Sequence, residues 1–223
     1  MPFSSDRHTQ TALGLASTLR SSGSLATLMT ALAGFLDAVG YAAMGQLYVS
    51  FMSGNSTQFG MAIARHDMHV VGLAGAVIAA FVCGAFLGSL IYGAAGRAKV
   101  RLVFACELVC LLLAWSLNGV LAQQVALLFV ASAMGMQNAV REVVAGVATG
   151  RSYITGTLFG VGDALARACL GKGSVGQAGI HALSWVALVT GITLGALAVA
   201  SLGVPSAIGA AAGVLVVLMA LAP

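Results

Sequence analysis

Three stretches of this chain are almost free of charge: residues 70–95 and 108–140 hold none, and 173–223 hold only His181 as a titratable side chain. A helix needs about 20 mainly apolar residues to cross a bilayer, and in lipid every backbone polar group must be paired within the structure. Runs this long therefore predict a polytopic, all-α membrane protein. A membrane β-barrel would instead alternate apolar and polar residues in short segments. Only 7% of the residues are charged, against roughly a quarter in soluble domains. The net charge of +4 does not point to nucleic acid, because Lys and Arg sit in short clusters between apolar runs, the pattern that orients a membrane protein.

The second constraint is a repeat. Ser50 to Arg65 reads SFMSGNSTQFGMAIAR, and Ser152 to Arg167 reads SYITGTLFGVGDALAR. At an offset of 102, Ser50, Gly54, Gly60, Ala64 and Arg65 match Ser152, Gly156, Gly162, Ala166 and Arg167. Upstream, Gly34, Ala38 and Val39 match Gly135, Ala139 and Val140 at an offset of 101, with Asp37 opposite Asn138. One inserted residue reconciles the two offsets.

Apolar runs predict helices over about 24–44, 70–94, 102–121, 125–146, 178–202 and 206–222, the last two joined by a tight turn at Gly203-Val204-Pro205-Ser206. Residues 1–23 read as a polar, mostly disordered cytoplasmic tail before a single membrane domain over 24–222. The segments 45–64 and 149–166 are rich in Gly, Ser and Thr and read as broken or re-entrant. If neither crosses, the Arg97–Arg101 and Arg167–Lys172 clusters fall inside with both termini, and only Arg65 stands against the positive-inside rule. Three spans per half, about 24–121 and 125–222, make the repeats inverted. Paired Gly-interrupted segments in inverted 3+3 repeats point to a midplane binding site in secondary transporters. Gly84-x-x-x-Gly88 and Gly191-x-x-x-Gly195 read as close helix-packing faces.

The candidate site follows from these patterns. Asp37 is an ionisable group well inside an apolar run, where such groups face a cavity or a partner; it reads as a proton or cation carrier, or as a hydrogen-bond partner of the Ser53–Gln58 segment. Ser53, Gly54, Asn55, Asn138, Thr155, Gly156 and Thr157 read as solute-binding, through non-helical backbone at Gly54, Asn55, Gly156 and Thr157, or as close-packing tips. Glu107 either lines a pathway as a second coupling group or snorkels toward a basic neighbour. Arg141 and Glu142 read as a compensating pair, Asp163 and Arg167 as an i,i+4 pair. His66-Asp67-Met68-His69 reads as a solvated turn rather than a metal site, and Met134–Gln137 as adaptable packing. The four cysteines lack paired spacing. No catalytic set, cofactor motif or P-loop is legible, so an enzyme is not expected.

Gly34-Phe35-Leu36-Asp37-Ala38, Phe51-Met52-Ser53-Gly54-Asn55, Met134 to Ala139 and Tyr153-Ile154-Thr155-Gly156-Thr157 together resemble the YoaK-like family, bacterial inner-membrane proteins sharing a domain of unknown function. The resemblance covers about residues 24–222 and departs at Ser53, where a threonine is expected. It implies a compact all-helical protein of the plasma membrane and supplies no substrate. Architecture alone therefore carries the functional expectation: a small secondary transporter or facilitator of a small polar solute or ion in the lipid bilayer. The alternatives are a passive channel and a non-transporting assembly protein. A homo-oligomer is left open.

Overall fold

The structure, a computed structural model, describes residues 5–140, 142–144, 147–149 and 154–222, with side chains described over 23–96, 98–140 and 154–222. Among the described residues seven α-helices follow one another: α1 Ser5–Ala43, α2 Met52–Ala64, α3 Met68–Ala94, α4 Lys99–Leu117, α5 Gln123–Gln137, α6 Ile154–Cys169 and α7 Val175–Leu221. The only strands among them are three residues long, Glu142–Val144 pairing with Val147–Thr149. Four helices are long and apolar enough to cross a membrane: Gly23–Ala43 within α1, then α3, α4 and α7. The chain is thus an all-helical membrane protein in its described core.

Several boundaries differ from the sequence reading. Helix already runs from Ser5, where a disordered tail is expected; the segment has no proline after Pro2 and is supplied with Ala, Leu, Gln and Arg, all good helix formers. Helix α5 stops at Gln137 rather than near 146, and the β-branched valines beyond it are extended. The Gly-rich run Met52–Ala64 is regular helix, as is Ile154–Cys169. Gly54, Asn55, Gly156 and Thr157 therefore present no free non-helical backbone, and the expected break lies upstream of the first run, between Ala43 and Met52. Glycine's helix propensity is weak, but a packed helix overrides it: a Cβ on Gly54 would sit 2.6 Å from the Phe51 ring and 3.0 Å from that of Tyr48, so the glycine seats both rings.

The turn expected at Gly203 is present as a break inside α7, with φ 80° and ψ 167° at Gly203 followed by Pro205. A straight 47-residue helix would reach about 70 Å, more than twice the ~30 Å hydrocarbon layer. Beyond the break, α7 runs antiparallel to α4. Gly209 lies beside Trp115 near the C-terminal end of α4, and the Arg101 guanidinium near its other end donates to the Ala222 carbonyl at 3.2 and 2.9 Å.

Glycines set the two tightest helix crossings. On α3, Gly84 meets the Ser132 backbone and Gly88 that of Met136, while Gly135 of α5 meets Phe81 and Ala85. On α7, Gly191 meets the Ala31 backbone and Gly195 that of Phe35, while Gly34 of α1 meets Leu188 and Ile192. In both crossings the residue numbers rise together, so both helix pairs are parallel. The second crossing is the first one renumbered: α1 positions answer α5 positions at 101, and α3 positions answer α7 positions at 107. Helix α1 occupies the centre, with 61% of its apolar window buried against 17% for α3, which leaves α3 the more exposed helix.

Candidate functional site

Helix α1 ends where Gly45 takes φ 63°, the left-handed conformation of a helix-closing glycine, and the Gln46 amide reaches back to the Tyr41 carbonyl at 3.1 Å. The chain then returns along α1 as a short irregular segment before α2 begins. Irregular backbone among apolar helices has no ladder to pair with, so its polar groups need other partners. Two buried side chains supply them. Asp37 Oδ1 accepts from the amides of Val49 (2.9 Å), Ser50 (2.6 Å) and Phe51 (3.4 Å), and Oδ2 accepts from the Ser50 hydroxyl at 2.7 Å. Asn55, fully buried in α2, takes the Tyr48 peptide on both sides: its Oδ1 accepts from the Tyr48 amide at 2.8 Å and its Nδ2 donates to the Tyr48 carbonyl at 2.7 Å.

Every contact asks the Asp37 carboxyl to accept, which suits the acceptor-only ionised group. Asp37 thus does bond to the polar segment after α1, but to backbone donors at 49–51 rather than to side chains of Ser53–Gln58. It is 5% exposed and is one of the residues lining a cavity of about 640 Å³. The walls come from both halves of the chain: Tyr41, Tyr48 and Phe51 from the first, with Ile154 of α6 and Leu188 and Ile192 of α7 from the second.

The other expected residues divide around this cavity. Ser53 is exposed and its carbonyl accepts from the Thr57 hydroxyl at 3.0 Å, while Ser56 back-bonds to Met52 at 2.9 Å, so these hydroxyls serve their own helix. Asn138 caps α5 and donates to the Met134 carbonyl at 2.8 Å. Thr155, Gly156 and Thr157 lie in the first turn of α6, next to Ile154 but not among the cavity-lining residues. Arg141, Ser152 and Tyr153 fall outside the described residues, as does the Glu142 side chain. Glu107 is fully buried on α4, facing Gln137 of α5, and neither carboxyl oxygen has a hydrogen-bond partner among the described residues. It neither snorkels nor pairs with Arg101, whose guanidinium is taken by Ala222, and it does not reach the cavity. Asp163 and Arg167 do pair, at 2.7 Å on an exposed face, a contact of small energetic weight. Asp67 caps α3 by accepting from the Val70 amide at 3.1 Å.

Tyr41 and Tyr48 are the wall residues that sequence reasoning passed over. Tyr41 stands four residues after Asp37 on one helix, so the two share a face, and that spacing was the available signal.

Residues 25–221 match the model of a family described as "Protein of unknown function (DUF1275)". No curated protein and no solved structure matches the chain.

Proposed function

The chain belongs to the DUF1275 family, and from that premise we propose that it is a small secondary transporter or facilitator with six spans in two inverted repeats, its solute site being the cavity at Asp37. The narrower likeness to YoaK-like proteins, and with it a bacterial inner-membrane location, rests on the four sequence motifs.

Helix directions support the six-span arrangement. Alternating spans α1, α3, α4, α5 and the two halves of α7 make α1 parallel to the first half of α7, α3 parallel to α5, and α4 antiparallel to the second half of α7. All three directions are those of the contacts. Adding α2 and α6 as full crossings would make α4 parallel to the end of α7, and adding either one alone would oppose α1 to α7. The renumbered glycine crossings support the repeat, and alternation turns the second copy over relative to the first.

The observation that carries the functional reading is the cavity itself, whose walls come from both halves of the chain. Asp37 is one of the wall residues, and its carboxyl holds the segment that carries Tyr48 and Phe51; Glu107, outside the cavity lining, has no part in the reading. To test it, purified protein is screened by thermal shift against a broad panel of metabolites and ions, and hits are followed by counterflow in proteoliposomes. Ala196→Trp fills the cavity from its α7 wall. The expected result is a ligand whose stabilisation and counterflow are both lost in Ala196→Trp; hits that survive the tryptophan unchanged refute the site.

A further inference from the structure

The cavity has an unusual balance of groups for a polar-solute site. Its described lining contains one acid, Asp37, and no Lys, Arg or His. The Ser50 hydroxyl is already spent on Asp37, and most of the remaining wall is aliphatic. Apart from Tyr41 and Tyr48, a neutral polar solute would find few hydrogen-bond partners among these residues, and an anion would meet a carboxylate.

Three aromatic rings stand beside that carboxylate. The Tyr41 and Tyr48 ring centroids are 5.4 Å apart and tilted by 42°, and those of Tyr48 and Phe51 are 5.2 Å apart at 88°. The rings are turned to one another rather than stacked flat, and all three line the cavity. The frame that holds the acid also holds them: Tyr41 is one turn along α1, Tyr48 is clamped by Asn55, and Phe51 follows the Ser50 that bonds Asp37. The carboxyl itself is unevenly used. Oδ1 accepts from three amides, whereas among the described residues Oδ2 accepts only from Ser50, which leaves Oδ2 acceptor capacity. Aromatic faces attract cations, and quaternary ammonium groups are recognised by clustered rings.

We propose that this cavity takes an organic ammonium ion, a substituted amine with apolar groups on nitrogen, with Asp37 as counter-charge and Tyr41, Tyr48 and Phe51 as the apolar and π surround. The proposal rests on the cavity being the solute site and adds its chemical class.

The test compares choline with 3,3-dimethylbutan-1-ol, which replaces the trimethylammonium by a neutral tert-butyl group of the same shape, in titrations of the purified chain. Choline is expected to bind and the alcohol to bind at least about 10-fold more weakly. Asp37→Asn, which keeps an acceptor for the loop amides, is expected to lose at least about 30-fold in choline affinity, the lower range for unpairing a buried charge. Tyr41→Leu, at a position outside the loop's side-chain hydrogen bonds, is expected to lose about 5- to 10-fold while melting normally. Equal binding of the alcohol, or full choline affinity in Asp37→Asn, overturns the ammonium assignment. So does the absence of choline binding to the wild type. In each case the broad panel with Ala196→Trp still decides separately whether the cavity is a solute site. Ammonium groups occur on free amines and on lipid headgroups alike. Choline titrations in phosphatidylglycerol nanodiscs with and without phosphatidylethanolamine separate the two: competition assigns a headgroup, and unchanged affinity assigns a free amine.

Discussion

Removing the Asp37 carboxyl should be far more harmful than neutralising it. In Asp37→Ala the amides of Val49 and Ser50 lose the carboxylate oxygen that now accepts from them at 2.9 and 2.6 Å, and the Ser50 hydroxyl loses its acceptor. Val49 and Ser50 are both buried, at 0% and 3% exposure. Each buried donor left unpaired costs about 1–3 kcal/mol. The two amides alone therefore set a loss of about 2–6 kcal/mol, with the weaker 3.4 Å contact to Phe51 and the freely turning hydroxyl adding less. Asp37→Asn keeps Oδ1 for the amides and turns an N–H₂ toward Ser50, whose oxygen can accept. It loses only charge assistance, about 1 kcal/mol for each of the same two amide bonds, or about 2 kcal/mol. Set against the middle of the range for Asp37→Ala, about 4 kcal/mol, this makes Asp37→Ala less stable than Asp37→Asn by about 2 kcal/mol. Reversible unfolding in mixed micelles by titration with sodium dodecyl sulfate, followed by circular dichroism, measures the gap. Equal stability of the two variants within about 0.5 kcal/mol, the usual spread at an uninvolved site, would mean that Asp37 does not hold the segment.

Two further outcomes follow from the glycines. Gly84→Ala and Gly191→Ala should each destabilise by about 1–3 kcal/mol through overpacking, because an added Cβ runs into the facing backbone in both crossings, whereas Gly93→Ala, with open space around it, should be neutral; the same unfolding titration reads all three. Gly203→Ala forces φ 80°, ψ 167° on a residue with a side chain and should cost about 1–3 kcal/mol, while Gly213→Ala, in an open stretch of the same helix, should be neutral or stabilising by up to about 1 kcal/mol.

What the sequence disclosed depended on whether the cause was carried by side chains. The start and end of α3 were legible because apolar composition stops at Asp67 and at the Arg97–Arg101 cluster. The break at Gly203 was legible through its neighbour Pro205. Asp37 stood out as an acid in an apolar run, yet most of its partners did not, since backbone amides at 49–51 have no letter of their own and only the Ser50 hydroxyl does. Gly54 misled for a related reason: glycine marks a bend and a close approach equally, and here the approach of two rings is what it serves. The early end of α5 was hidden because Ala139 and Val140 are as apolar as the helix before them. The cavity needed the fold, because Leu188 and Ile192 meet Tyr41 only across the α1–α7 crossing.

That crossing has a consequence for biogenesis. During synthesis α1 enters the membrane well before the backbone its Gly34 packs against, at Leu188 and Ile192, is made. The central helix therefore waits, without its main neighbour, until the first half of α7 is made. Its acid does not wait. The groups that bond Asp37 lie 12 to 14 residues downstream, so they emerge from the ribosome just after α1 and can close around the carboxyl at once. The chain can thus settle this acid locally and early, and leaves to α7 the joining of apolar surfaces that lipid tolerates in the meantime.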